Sequence, residues 1–516
     1  MHLQPYARRL LLGALLVGLL GSLAASDVSA GLFKRRLFPR PVLVCPQPYP
    51  IAALSVRVRK NINNLTESEL ASFKRGVAAM KALPADDPRS WRFQANIHGT
   101  FDPVPPGAVD LFNKCEHNTI YFFVWHRGYI YNFERILREM AGDPDLTLPY
   151  WDWETDATLP IAFRNPADPA KPNPLYDGTR NINDGSALPS PIVVDNTAAA
   201  LLLIAFFEPL PTASFSRRFE GSPHGAVHVL TGGNMTQFET AAQDPIFWLH
   251  HCNIDRNWDR WLNLSADRKN PSDSAFLDKP YSFIDDTGTK ISAKVSDILS
   301  SATLGYRYED VPNPALMSAR VVMKAFAQPG EKLKLLRAAA SFKDEKPAPA
   351  DKKALGLKPV QVPLHLAPMH LGKWRELAVP ANATGKIFLQ ISGISAKAPP
   401  TFVYGVYLNL PQGELTPEQK RQYYAGTIDF FGKVGHAKKD GHGGAGSSFT
   451  ETFDITALVG ALQKAKRWQA EPLSVTFQPL TPIAAKGKEA ALQKRLEASA
   501  KKAEITYQHV ELLFAP

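Results

Sequence analysis

The stretch Asp244–Trp261, DPIFWLHHCNIDRNWDRW, constrains the fold more than any other part of the chain. Phe247, His251, Ile254, Trp258 and Trp261 recur at spacings of three and four, which predicts an amphipathic helix with that stripe facing a core. His251 lies on the stripe. The register through His250 picks up Asn253 and Asn257 instead, so His250 sits about 100° round the helix and the adjacent pair is not two equivalent groups. Asp255, four residues after His251, shares its flank.

A second helix with the same property runs from Phe122 to Met140, where His126, Ile130, Phe133, Leu137 and Met140 form one stripe. His117 stands nine residues before His126, too far for one helix face, and is expected in the segment entering that helix. SPHGAVH places His224 and His228 at i and i+4, on one helix face as two ligands of one metal would be. With His98 upstream, the region offers two sets of three: His98, His117, His126 and His224, His228, His251. Several imidazoles on buried faces would each need a hydrogen-bond partner if they were only structural. Six imidazoles with no carboxylate among them favour copper or zinc over magnesium, calcium or a carboxylate-rich di-iron centre.

At 516 residues the chain is long enough for more than one domain. Its N-terminus carries Arg8 and Arg9, an apolar run from Leu10 to about Ala25 and the small-residue end Val28-Ser29-Ala30. This is the layout of a secretory signal peptide over residues 1–30, too short to span a membrane, which needs roughly 20 apolar residues. The expectation is therefore an exported protein with no membrane span after cleavage, and the paired arginines also fit the twin-arginine route. Lys+Arg exceed Asp+Glu by ten. The excess lies largely in the C-terminal third without interleaved aromatics, which argues for a solvated surface and against a nucleic-acid partner. Three cysteines, Cys45, Cys115 and Cys252, make no disulfide framework. Helical periodicity broken by Pro-rich loops persists to about residue 310. KDEKPAPADKK, Lys343–Lys353, has the composition of a linker. Beyond it GKIFLQISGI, TFVYGVYLNL, LSVTFQPL and ITYQHVELLF alternate and are rich in β-branched and aromatic residues, which predicts antiparallel strands. KVGHAKKDGHGGAGS is expected to be a loop and KEAALQKRLEASAKK a short polar helix.

The stretches CEHNTIYFFVWHRGYIYNFERIL, DPDLTLPYWDWE, SPHGAVHVLTGGNM and DPIFWLHHCNIDRNW resemble the copper-binding regions of the tyrosinase and catechol oxidase (polyphenol oxidase) family. LGYRYEDVP, Leu304–Pro312, is similar to the tyrosine motif that closes the catalytic domain of its plant-type members. The resemblance implies a mainly α catalytic domain over 31–312, a four-helix bundle holding a type-3 dicopper site. A connecting segment over 313–355 and an antiparallel β-sandwich domain over 356–516 that can shield the site would follow. It implies two copper ions per chain, one on His98, His117 and His126, the other on His224, His228 and His251, with His250 and Asp255 orienting the ligand helix. It also implies a thioether between Cys115 and His117. Glu220 would hold a water near the metals, Phe238 would be a gate over the site, and Gly225 would occupy a position tied to specificity. Cys252 is expected to be core, and the plant pattern's two N-terminal disulfides cannot form on Cys45 alone. The implied partners are O2 and small phenols: two Cu(I) ions together supply two electrons to O2 for oxidation of o-diphenols to o-quinones. Monophenol hydroxylation is the further activity of such sites, and the asparagine that supports it in several relatives is replaced here by Gly225. The alternatives are a catechol oxidase without monophenolase activity, a hemocyanin-like O2 carrier and a three-histidine zinc hydrolase.

Overall fold

The computed structural model describes residues 56–165, 172–209, 212–311, 336–338, 353–364, 385–434, 448–468 and 473–515. The expected signal peptide, Cys45, linker residues 343–352 and residues 435–447 of the expected loop lie outside these. No described helix is long and apolar enough to cross a membrane.

The first half is built from helices α1 (Glu67–Ala82), α2 (Trp91–His98), α3 (Phe122–Ala141), α4 (Ile161–Arg164), α5 (Asn196–Leu201), α6 (Phe215–Phe219), α7 (Ala226–Thr231), α8 (Phe238–Ala241) and α9 (Ile246–Leu264). Local chemistry sets their ends. Thr66 and Glu69 cap α1 reciprocally, each side chain accepting the other's backbone N–H. Ser90 accepts the N–H of Phe93 to start α2, and Gly142, at φ +60°, ends α3. α3 packs between α1 and α9. On the expected stripe of α3, His126, Ile130, Phe133 and Leu137 are buried, as is the whole stripe of α9.

A buried charge cluster ties α3 to α9. Arg127, the residue after His126, donates from Nε to Asp255 (2.6 Å) and from Nη2 to Asp259 (2.7 Å). The other oxygen of Asp255 accepts from the hydroxyls of Tyr306 (2.6 Å) and Tyr308 (2.7 Å). Both tyrosines belong to a strand, Tyr306–Tyr308, that pairs in parallel with Arg57–Arg59. Arg59 completes the cluster with Glu134 at 2.8 Å. The LGYRYEDVP motif therefore closes the helical region by joining its last strand to its first and locking both onto α9.

Among the described residues the strands are, in chain order, β1 (Arg57–Arg59), β2 (Pro280–Ile284), β3 (Lys290–Lys294), β4 (Tyr306–Tyr308), β5 (Leu336–Ala338), β6 (Lys353–Leu355), β7 (Val360–Leu364), β8 (Lys386–Ile394), β9 (Val403–Leu408), β10 (Tyr424–Ile428), β11 (Phe449–Asp454), β12 (Leu473–Leu480), β13 (Ile505–Tyr507) and β14 (His509–Ala515). The C-terminal half forms two four-stranded sheets, β10-β9-β12-β7 and β11-β8-β14-β5, antiparallel throughout. All four strand-like stretches of the sequence are strands. ITYQHVELLF divides at Gln508: β13 pairs with β6 while β14 pairs with β8. KEAALQKRLEASAKK is the helix Glu489–Ala503.

The two halves meet through specific bonds. Tyr424 donates to Asn196 Oδ1 (2.8 Å), Arg421 pairs with Asp195 (2.8 Å) and Arg495 with Asp184 (2.6 Å). Directly after β10, residues Asp429–Lys433 enter the helical half.

Candidate metal centre

The helix ends deliver the histidines. His98 is the last residue of α2, and its Nδ1 donates to the carbonyl of Phe238 (2.8 Å). Gly99 allows this approach, since a Cβ there would lie 2.5 Å from that oxygen. His117 comes from the segment before α3, as its spacing predicts. His126, in the second turn of α3, donates from Nδ1 to Phe122 O (2.8 Å). The chain leaves helical conformation at Ser222 and re-enters it at Pro223, so His224 and His228 share one helical run. Their Nδ1 atoms donate to Glu220 O (2.9 Å) and Met235 O (2.8 Å).

A carbonyl can only accept, so each of these four Nδ1 atoms carries the proton and Nε2 presents its lone pair. The Nε2 atoms of His126, His224 and His228 have no hydrogen-bond partner, and neither nitrogen of His250 or His251 has one. Buried lone pairs left this way signal an atom to be bound. The fixed Nδ1–H to carbonyl bond is what orients a metal-ligating imidazole.

The ligand atoms of His98, His117 and His126 lie within 4.8 Å of one another, as do those of His224, His228, His250 and His251. The two groups face each other: His126 stacks on His251 with centroids 4.4 Å apart, and His117 on His224 at 5.5 Å. His250, expected off to one side, also joins the second group, 4.5 Å from the ring of His228 and 4.8 Å from Trp153. Helical angle alone missed this because the α7 run lies against that flank of α9. Asp255 touches no histidine among its hydrogen bonds. Its bond to Arg127 ties α9 to α3.

Burial pushes the imidazoles of His126, His228, His250 and His251 well below their ordinary pKa, and that of His224 to about 3. All are neutral at physiological pH, the form that binds metal. Neither group includes a carboxylate. A donor set of neutral imidazoles fits copper or zinc.

Glu220 lies beside the first group. Its Oε1 accepts the backbone N–H of Asn118 (2.6 Å) and sits 3.2 Å from His117 Nδ1. Burial raises its carboxyl to about 8 despite that N–H bond. Phe238 stacks on the His117 ring at 4.3 Å. Cys115 is half-buried against the core. Cys252 is fully buried and its thiol pKa is raised by that burial.

Sequence reasoning missed the residue that covers the site. Phe431 lies flat on His228 with centroids 3.7 Å apart, edge-on to His224 at 5.3 Å and to Phe238 at 4.8 Å. Asp429 fixes it by accepting its backbone N–H (3.0 Å), and Lys433 ties Asp429 (2.8 Å) to Glu451 (2.6 Å). Two glycines make room. Gly432, at φ +64°, passes so close to Phe238 that a Cβ would fall 2.1 Å from its ring, and a Cβ on Gly225 would fall 2.6 Å from Asp429 Oδ1. The sequence signal was DFFGK, two aromatics at the end of a strand followed at once by glycine.

Residues 88–198 and 203–264 match the common central domain of tyrosinase, 270–321 the polyphenol oxidase middle domain, and 348–490 a domain of unknown function. The chain is 33% identical over 307 residues to a chloroplastic polyphenol oxidase of Malus domestica, covering 52% of this chain and 51% of that one. It is 31% identical over 319 residues to an aureusidin synthase of Antirrhinum majus, covering 54% and 56%. The chain thus spans about half the length of these plant relatives. Tyrosinase HcTyr1 of a Hahella species is 27% identical over 470 residues, 82% of this chain and 95% of that one. Latent apple tyrosinase shares the fold with TM-score 0.55 at 23% identity, over 90% of this chain and 98% of that one. With its histidine helices, closing tyrosine strand and middle segment together, the chain belongs to the tyrosinase and polyphenol oxidase family.

Proposed function

We propose that the protein is an exported type-3 dicopper phenol oxidase that uses O2 to convert o-diphenols to o-quinones and also hydroxylates monophenols. Two facing groups of buried imidazoles, with the Nε2 atoms of His126, His224 and His228 left without a hydrogen-bond partner, carry this reading. His98, His117 and His126 would hold one copper, and His224, His228 and His251 the other. Copper bound there supplies the electrons that O2 takes up. Residues 31–312 are the catalytic domain, 313–355 the connection and 356–516 a sandwich-like shield.

This chain's own residues supply the rest of the chemistry. Glu220, buried beside His117 and fixed by the N–H of Asn118, is the carboxylate placed to take the phenol proton in its ionised form, directly or through a water. Phe238 narrows the mouth over His117. A Cys115–His117 thioether would immobilise one imidazole, and a mass loss of two hydrogens from the peptide holding both would identify it. In the full chain Phe431 occupies the space a phenol ring needs, which supports a latent enzyme awaiting removal or displacement of its shield.

The test is oxygen uptake by the copper-loaded protein, with Phe431→Gly to clear the mouth, on a monophenol and its matching catechol. Uptake on both, with a lag on the monophenol, supports tyrosinase activity. Uptake on catechol alone makes it a catechol oxidase, reversible O2 binding without turnover favours a carrier, and metal analysis of the protein before copper loading that finds zinc favours a hydrolase.

A further inference from the structure

Of the three imidazoles in the first group, His98 and His126 are fixed by helices and His117 is not. The segment that carries it has neither helix nor strand. Two of its residues, Asn113 (φ +60°) and Asn118 (φ +59°), lie in the left-handed region, which an L residue adopts only at a cost. Backbone of this kind does not set its own direction. The His117 ring nevertheless sits 5.7 Å from the His98 ring and 5.2 Å from the His126 ring, centroid to centroid.

Glu220 and Phe238 touch the His117 ring itself. The outer side of the segment is held by Glu116, the residue between Cys115 and His117. Its Oε1 accepts from Lys279 Nζ (2.7 Å) and from the Tyr281 hydroxyl (2.7 Å), and its Oε2 from the hydroxyl of Thr119 (2.9 Å). Lys279 also lies over the rings of Tyr121 (4.0 Å) and Tyr281 (5.2 Å), so rings as well as the carboxylate hold its ammonium. A partly exposed ion pair alone contributes little. Here a neutral donor and two rings brace it, which fixes a direction.

The other end of this contact is rigid. Tyr281 belongs to β2, which pairs with β3, and the hairpin is docked along α3. Phe283, on the same face of β2 as Tyr281, packs where Gly128 leaves room: a Cβ there would lie 2.8 Å from Phe283 Cζ. In the hairpin turn Asp286 pairs with Arg135 of α3 (2.6 Å). Gly128 stands two residues after His126. The hairpin thus sits against the helix of one histidine and reaches the loop of another.

We propose that Glu116 is a positioning residue for the first histidine group. Through Lys279 and Tyr281 it uses the β2–β3 hairpin as a fixed bracket and sets the His117 imidazole in register with His126. This role rests on the two-metal reading for the metal alone, not for the reaction. A chain that binds two ions and oxidises no phenol would leave it standing.

Titration with Cu(I) against a coloured competing chelator tests this, in the full chain carrying Phe431→Gly to clear the mouth. The parent is expected to bind two ions, and adding His126→Ala identifies the first-group step as the one it removes. Glu116→Ala is expected to weaken that step by about tenfold, the lower end of what outer-shell partners of metal ligands lose, and to leave the other step unchanged. Glu116→Gln keeps an acceptor oxygen for Lys279 and Tyr281 and is expected to restore most of the affinity. Tyr281→Phe acts from the hairpin and leaves the histidine loop intact. It is expected to weaken the same step by a smaller factor, which keeps the test open if Glu116→Ala folds poorly. An unchanged first-group step in Glu116→Ala and Tyr281→Phe would overturn the proposal alone, as would a loss shared equally by both steps. A parent chain without a first-group step would overturn the two-metal reading and the proposal together.

Discussion

Replacing Asp255 by Asn should weaken the helical half without touching a metal ligand. The carboxylate is 3% exposed and collects Arg127, Tyr306, Tyr308 and, at 3.4 Å, Arg59. An amide offers one acceptor oxygen and sets an NH2 against donors that need an acceptor. Breaking a buried ion pair on one side costs about 3–5 kcal/mol. Arg127 keeps Asp259 and Arg59 keeps Glu134, so neither cation is stranded and the lower end, about 3 kcal/mol, applies. A domain of this size shifts by roughly 2–4 °C per kcal/mol, which gives a melting point lower by about 6–12 °C. Scanning calorimetry of the copper-free Asp255→Asn chain reads it. A shift below about 2 °C would refute the view that this carboxylate joins the two histidine helices. Copper affinity should fall in the same variant, because the clamp fixes α3 one residue beyond His126.

Phe431→Gly in the full chain should raise catechol oxidation without proteolysis, and unchanged oxygen uptake would show that the ring does not block the site. Gly225→Ala would set a methyl 2.6 Å from Asp429 Oδ1, and faster protease cleavage of the full chain is the expected sign that the shield has loosened. Glu220→Gln should lower monophenol turnover by about a hundredfold, in the range of lost general-base catalysis, while copper content by metal analysis stays the same. In the copper-free chain, five buried imidazoles stay neutral while the unfolded chain takes up protons below about pH 6.5. The folded state therefore loses stability as pH falls from about 6.5 toward about 3, by up to about 1.4 kcal/mol per pH unit for each imidazole. A melting point that stays flat between about pH 7 and pH 5 would contradict this.

The histidine helices were legible because burial imposes a period of 3.6, and both stripes carry a histidine at a core position. The strands beyond residue 385 were legible from alternation. Two things were not. His250 joins its neighbours through the placement of α7 against α9, a tertiary fact that helix angle cannot contain. Phe431 lies some two hundred residues from the histidines it covers, and in sequence an aromatic pair after a strand reads as ordinary core. Glu220 and Gly225 were found by resemblance; their partners Asn118 and Asp429 emerged only once the chain was folded.

Phe431 also bears on how the protein is made. The seven clustered histidines are at most 5% exposed, with this ring seated on the second group. Among the described residues, the seated ring and the Asp429–Lys433–Glu451 tether behind it stand across the mouth that a hydrated metal ion would use. Maturation then has an order: metal delivery must come before the C-terminal half docks, or must wait for it to lift.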